Sequence, residues 1–274
     1  MLRLAMVQGR LSSEVAGKFQ YFPIHNWRSE FFKAKELGFD SLEWIISDFS
    51  NPIFDEASQN EIIDLVRDSN LEISSISLDL LMPKTLNYFS DKETKWIFDN
   101  INKIAKKVKL SRVSIPIEET CGIRDPQTFN KVQGKLIKIL NLNSFNEYSI
   151  AIETDMAPNV ISNFLNHKAL QRVGVLLDIG NAAAYGYKLN DYFNQLSKKI
   201  YSLHIKDRLS GIGPTVPLGE GSAEFDYLAK NIHNLINLKD ITLQSFKTHE
   251  NYLTDTTQAK KFIDDTLMIK VRGS

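Results

Sequence analysis

Four side chains in the second half of the chain could together hold a divalent cation. Glu153 stands in "AIETD", Asp178 in "VLLDIGNA", His204 in "IYSLHIKDR" and Gln244 in "DITLQSF". Each falls where an apolar run gives way to polar residues. Two carboxylates, one imidazole and one amide oxygen form a donor set suited to Mn²⁺, Mg²⁺, Co²⁺ or Zn²⁺. The two negative charges would neutralise one such ion. A histidine at a boundary of this kind can also be a core residue near a strand end, and a single polar residue there can be only the start of a loop. The elements that carry these residues decide how far the four belong together.

Short β-rich runs alternate with amphipathic stretches along the whole chain. The expected strands are residues 2–8, 41–45, 73–79, 112–118, 148–154, 173–178, 200–205 and 240–246, and helical patterns such as 94–108 and 129–143 lie between them. Repeated strand–helix–strand units imply a parallel sheet with right-handed crossovers. Eight units in 274 residues fit a (β/α)8 TIM barrel. An open doubly wound sheet is the alternative, but no glycine-rich phosphate loop follows the first strand. No low-complexity linker interrupts the pattern, so residues 1–274 are expected to form a single barrel domain.

Strand side chains alternate between two faces, and here the alternation is informative. Ser41 and Glu43 share a face, as do Ser75, Ser77 and Asp79; Ser114, Pro116 and Glu118; and Ser149, Ala151 and Glu153. The same holds for Gly174, Leu176 and Asp178, for Ser202 and His204, and for Asp240, Thr242 and Gln244. Large aliphatic residues occupy the opposite face, which would meet the helices. The small and polar face would fill the barrel, and each row ends in a carboxylate, imidazole or amide at the C-terminal rim, where barrel active sites lie.

Composition narrows the classes further. Lys plus Arg number 33, and so do Asp plus Glu; a chain without basic excess is not expected to bind nucleic acid. Apolar residues make up 43%, enough for a full core. No apolar run reaches the ~18 residues of a membrane span. The opening "MLRLAMVQGRLS" is interrupted too early for a signal peptide, so a cytoplasmic protein without membrane partners is expected. Cys121 is the single cysteine, which leaves no disulfide framework or thiolate cage.

The ordered set of motifs resembles the xylose isomerase-like barrel superfamily, and in particular its sugar-phosphate isomerase/epimerase branch of hexulose-phosphate isomerases, L-ribulose-5-phosphate 3-epimerases and ketose 3-epimerases. The matching stretches are "MVQGRL", "LEWI", "AIETD", "VLLDIGNA", "LHIKD" and "VPLGEG" (216–221). The resemblance implies a metal site of Glu153, Asp178 and His204 with Gln244 as fourth ligand, one divalent ion, and Glu153 as the base that moves a proton through an enediolate. It implies a sugar or sugar-phosphate substrate and leaves a homo-oligomer open. Lys206 and Arg208 would then face an anionic group such as a phosphate, the alternative being a solvated charged turn.

Gln244 departs from the superfamily pattern, where many members carry a glutamate that serves as ligand and second base. A glutamine can offer its carbonyl oxygen to a metal but accepts no proton at neutral pH. Epimerisation commonly uses a base on each face, whereas aldose–ketose isomerisation can use one. The substitution tilts the expectation toward isomerisation, or toward a second base such as Glu118 or Asp79. Asn181 stands where some ketose epimerases hold a substrate oxygen with a histidine. Gln8 and Arg10 are expected on the rim, Glu43 on a substrate hydroxyl, and Glu220 reaching inward from a mobile "PLGEG" loop or standing in solvent. Gly9 should let the chain turn, Trp44 should pack under a helix, Ser222 should cap a helix, and Cys121 is incidental. Two other functions compete. A metal nuclease of the abasic-endonuclease type is disfavoured, because of His25, His167, His204, His233 and His249 only His204 sits at a strand end. The other is a sugar-binding barrel that has lost catalysis, with Gln244 as its clue.

Overall fold

The expected strands all form, and their sheet closes on itself. The computed structural model describes residues 2–15, 17–18, 20–142 and 147–267. Strands β1 (Arg3–Val7), β2 (Ser41–Ile45), β3 (Glu72–Ser77), β4 (Arg112–Ile117), β5 (Ser149–Thr154), β6 (Gly174–Asp178), β7 (Ile200–Ile205) and β10 (Asp240–Leu243) form the barrel. Pairing of β1 with both β2 and β10, parallel throughout, excludes the open sheet. A small antiparallel hairpin, β8 (Asp207–Arg208) with β9 (Thr215–Val216), rises from the end of β7. Around the barrel run α1 (Trp27–Glu36), α2 (Glu56–Ser69), α3 (Asp91–Ile104), α4 (Pro126–Leu142), α5 (Pro158–Leu165), α6 (Ile179–Ala184), α7 (Leu189–Leu196), α8 (Phe225–Asn231) and α9 (Tyr252–Leu267). The architecture is a single-domain (β/α)8 TIM barrel. No helix among the described residues is long and apolar enough to cross a membrane.

The cross-strand register confirms the two faces. Ser114 pairs with Ala151, Pro116 with Glu153, Ala151 with Gly174 and Thr242 with His204. Asp178 pairs with His204. The small and polar rows therefore line up around the barrel interior, while Leu42, Trp44, Ile76, Ile115, Ile152 and Leu203 form part of the apolar layer under the helices. Trp44 is fully buried against Trp27 of α1, ring centroids 5.5 Å apart, and its indole nitrogen donates to Asn51. Burial of a large side chain contributes about 1.5–3 kcal/mol, so this layer is what fastens the helices to the barrel.

Boundaries differ from the expected ones for local reasons. The run 240–246 is a strand only to Leu243, which leaves Gln244 just beyond it. The run 73–79 ends at Ser77, and Asp79 opens a 3-10 turn. The helix expected over 94–108 starts earlier, at Asp91, because Ser90 and Glu93 form a reciprocal capping box. The helix expected over 129–143 starts at Pro126, where Asp125 accepts hydrogen bonds from the Gln127 and Thr128 amides; Asn143 lies outside the described residues. Ser222 is not a helix cap. α8 starts at Phe225 with Glu224 before it, and the Ser222 amide instead donates to the Arg208 carbonyl. Gly9 turns the chain after β1 at φ 90°, and its amide donates to the buried Glu30 carboxylate.

Candidate active site

The strand ends bring Glu153, Asp178 and His204 together. One ligand atom from each lies within 4.8 Å of the others, and all three side chains are buried. Asp178 is the last residue of β6 and the N-cap of α6; its Oδ1 accepts from the Asn181 amide at 2.8 Å. Gly180 lets this turn sit against β7, because a Cβ there would come within 2.8 Å of the Lys206 carbonyl oxygen. His204 is held from both sides. Its Nδ1 lies 3.0 Å from Glu153 Oε1 and its Nε2 lies 2.7 Å from Glu43 Oε1.

The donor set fits a divalent ion. Two adjacent ligands about 2.1 Å from an octahedral ion stand about 3 Å apart, which is the separation of Glu153 Oε1 and His204 Nδ1. On the neighbouring strand end, Gln244 Oε1 is buried without a hydrogen-bond partner, and a buried acceptor of this kind wants a donor or a cation. Glu153, Asp178 and His204 would hold the ion, with Gln244 the remaining oxygen. Lys206 competes with it, since its Nζ lies 2.8 Å from Asp178 Oδ2.

An open cavity of about 590 Å³ adjoins this set, with Glu153, Gln244, Asp79, Glu118, Arg10, Lys206 and Arg208 in its wall. Its cations and carboxylates suit a strongly polar ligand. Asn181 organises one side: its Nδ2 donates to Glu118 Oε2 at 2.9 Å and its Oδ1 accepts from Arg208 at 2.7 Å. Gln20 organises the other. It donates to Asp79 at 2.9 Å and accepts from Gln244 at 2.7 Å and from Arg10 at 3.1 Å.

Burial and neighbouring charge set the protonation states. Glu118 is raised well above the usual carboxylate range, first by burial and then by the charges of Glu153 and Asp178, with Lys206 opposing. Asp79 is raised by burial despite hydrogen bonds from Gln20 and Ser77. Burial would lower His204, but the Glu43 and Glu153 carboxylates outweigh it and raise its pKa well above the ordinary imidazole value. Burial likewise works against the Glu43 carboxylate, yet His204 and Arg112 hold its pKa below the usual range.

The expected residues divide by position. Asp79 and Glu118, the two expected from the strand-end rows, line the cavity together with Lys206 and Arg208. Lys206, expected at a substrate anion or in a solvated turn, instead pairs with Asp178, and Asn181 bonds both Glu118 and Arg208. Glu43 does not reach substrate. It is 1% exposed, lies behind His204, and both its oxygens are engaged, one by His204 and one by Arg112 and Ser75. Gln8 is also fully buried, its oxygen 3.4 Å from the Ile45 amide. Glu220 is exposed and outside the cavity wall. The "PLGEG" loop is tied down, because Asp207 accepts from the amides of Gly219, Gly221 and Ala223. Cys121 is buried with its thiol pushed up to about 12, chiefly by burial, which leaves it inert.

Sequence reasoning missed Gln20 and Arg112. Gln20 lies in an irregular stretch after β1 and carries no periodic signal. Arg112 did carry one. It shares the inward face of β4 with Ser114 and Pro116, and an arginine facing a barrel interior demands acidic partners, which Glu43 and Asp240 supply.

No protein-family model matches the chain, and no curated protein matches it. Solved structures do match over nearly full length. The IOLI protein with a bound zinc atom superposes with a TM-score of 0.72 at 15% identity, covering 97% of this chain and 98% of the other. A D-allulose 3-epimerase from Methylomonas sp. gives 0.73 at 14%, covering 97% and 98%. A xylose isomerase-like TIM barrel protein from Mycobacterium smegmatis, in complex with magnesium, gives 0.68 at 14%, covering 98% of each. At such identities the likeness speaks for the fold alone, a closed (β/α)8 barrel shared with these structures over nearly their whole length.

Proposed function

We propose that this xylose isomerase-like barrel is a divalent-metal-dependent isomerase or epimerase of a sugar or sugar phosphate, with Glu153 as the proton-transferring base. The observation that carries the reading is the meeting of Glu153, Asp178 and His204 at the C-terminal rim beside an open polar cavity. Two of the similar structures hold zinc or magnesium and a third is a sugar epimerase, which supports it.

Glu153, Asp178 and His204 would hold a divalent ion, which would supply Lewis-acid stabilisation of the negative charge that develops on the oxygens of an α-hydroxy ketone or aldehyde. Glu153 takes the proton from the carbon that bears the hydroxyl and, for isomerisation, delivers it to the former carbonyl carbon on the same face, while the hydroxyl proton passes to the former carbonyl oxygen. Glu153 lies on the cavity wall and has one oxygen beside His204, so its second oxygen is the one that can face the substrate carbon. Glu118, its pKa raised first by burial and then by the charge of Glu153, would in its protonated form donate to a substrate oxygen, and the Asn181 amide, which donates to its Oε2, fixes its orientation. Arg10 and Arg208 stand in the wall where an anionic substituent would be held. Gln244 supplies no second base, which favours one-face isomerisation or an epimerisation in which Glu118 or Asp79 serves the second face.

The test is elemental analysis of the purified protein followed by solvent-deuterium exchange into a panel of ketoses and ketose phosphates. About one divalent ion per chain is expected, lost in His204→Ala. Unchanged metal in that variant would sink the ligand assignment, and a metal-loaded protein that exchanges no carbon-bound proton would leave the sugar-binding barrel as the better reading.

A further inference from the structure

The interior of this barrel below the site is polar where barrel interiors are usually filled by branched aliphatics. Arg112 of β4, wholly buried, donates to Glu43 Oε2 of β2 at 2.7 Å and to Asp240 Oδ1 of β10 at 3.0 Å. Ser75 donates to the same Glu43 oxygen at 2.8 Å. Ser202 donates to Asp240, and Arg112 also donates to Ser114. The other Glu43 oxygen meets His204 Nε2 at 2.7 Å. Buried charges of this kind seldom stabilise a fold better than well-packed apolar residues would, so their presence under one histidine calls for another role.

We infer that Glu43 and Arg112 are positioning residues that fix the tautomer of His204, so that Nδ1 presents its lone pair to the ion. The donor and acceptor inventory compels the direction. Arginine only donates, and an ionised carboxylate only accepts. With Arg112 and Ser75 supplying one Glu43 oxygen, the other can be satisfied by His204 only if Nε2 carries the proton. With Nε2–H held by Glu43, the proton that an ion would displace is the one on Nδ1, the nitrogen that lies 3.0 Å from Glu153 within the metal set, so the lone pair would fall there. Outer carboxylates of this type orient metal-binding imidazoles and raise their basicity. This inference rests on the metal reading proposed above.

Glu43→Gln tests it, because an amide has one accepting and one donating end. Arg112 can only donate, so it claims the amide oxygen and turns the amide nitrogen toward His204. Nε2 must then accept, the proton moves to Nδ1, and the lone pair is withdrawn from the site. Calorimetric titration with Zn²⁺ and with Mn²⁺ should show affinity ~10–100-fold weaker than wild type, with circular dichroism unchanged. Ser202→Ala, which disturbs the same network on the Asp240 side, should lower the melting temperature and leave affinity within about twofold. Should Glu43→Gln not fold, ¹⁵N-histidine NMR of the zinc-loaded wild type reads the tautomer directly: a proton on His204 Nε2 supports the inference, and a proton on Nδ1 overturns it. Wild-type affinity in a folded Glu43→Gln overturns it too, while leaving the metal reading intact. A wild type that takes up neither ion overturns both.

Discussion

At the scale of single residues, the proposed reaction gives Glu153, Gln244 and Lys206 roles that can be tested separately. Glu153→Gln keeps the side-chain shape and one ligand oxygen but loses the basic lone pair. It should lower solvent-proton exchange by about 10²–10⁴-fold, measured by deuterium incorporation, while metal stays bound. Near-normal exchange would move the base to Glu118 or Asp79. Gln244→Glu adds a carboxylate beside the set; if one-face isomerisation is the natural reaction, the isomerisation rate should not rise, though epimer formation becomes detectable by chromatography. Lys206 holds its ammonium 2.8 Å from Asp178 Oδ2, where it competes with a cation for that oxygen. Lys206→Met should therefore tighten metal binding in a calorimetric titration, and weaker binding would mean that the ammonium supports the site rather than blocks it.

Among the elements, the segment after β7 shows how a loop becomes rigid without regular structure. Asp207 is buried, and its two oxygens gather three backbone amides from residues 219–223. The loop carrying "PLGEG" is thereby fastened beside the β8–β9 hairpin, which presents Arg208 to the cavity. Hydrogen bonds to a charged group contribute about 1.5–3 kcal/mol each at most, and Gly221 is required because a Cβ there would come within 2.2 Å of the Asp207 carboxylate. Asp207→Ala should speed hydrogen exchange at Gly219, Gly221 and Ala223 by at least tenfold while exchange in β4 and β5 stays as in wild type. Equal protection in the variant would mean that packing alone holds the loop.

For the whole molecule, the clustering of charge in one barrel end makes stability depend on pH in a definite direction. Glu118, Asp79 and His204 all have folded-state pKa values raised above their ordinary ones. A raised pKa means that the folded state holds its proton longer than the unfolded chain does, so each contribution is complete at low pH and fades as pH rises through the folded value. Glu43, held low, contributes above the ordinary carboxylate value of about 4.3 and loses its contribution as pH falls toward its folded value. The metal-free protein should accordingly lose melting temperature as pH rises from the acidic range through the raised folded-state values of these groups, as scanning calorimetry in chelator would show. Glu118→Gln should flatten that decline, and an unchanged slope would refute the role given to Glu118. Much of this design was legible in the chain itself. Alternation of period two set which residues of "SIAIE", "VGVLLD" and "IYSLHI" face inward, and the strand–helix repeat set the barrel, because both follow from local backbone geometry. The gathering of Glu153, Asp178 and His204 at one rim followed from those two facts together. What the tertiary structure alone decided is which inward residues meet across the barrel. Arg112 reaches Glu43 and Asp240, Lys206 turns to Asp178 rather than outward, Glu43 lies behind His204 instead of on the cavity wall, and Gln20 joins Gln244 to Asp79. Those pairings depend on strand stagger and on the path of irregular loops, which bring together residues far apart in sequence and leave no periodic trace in it.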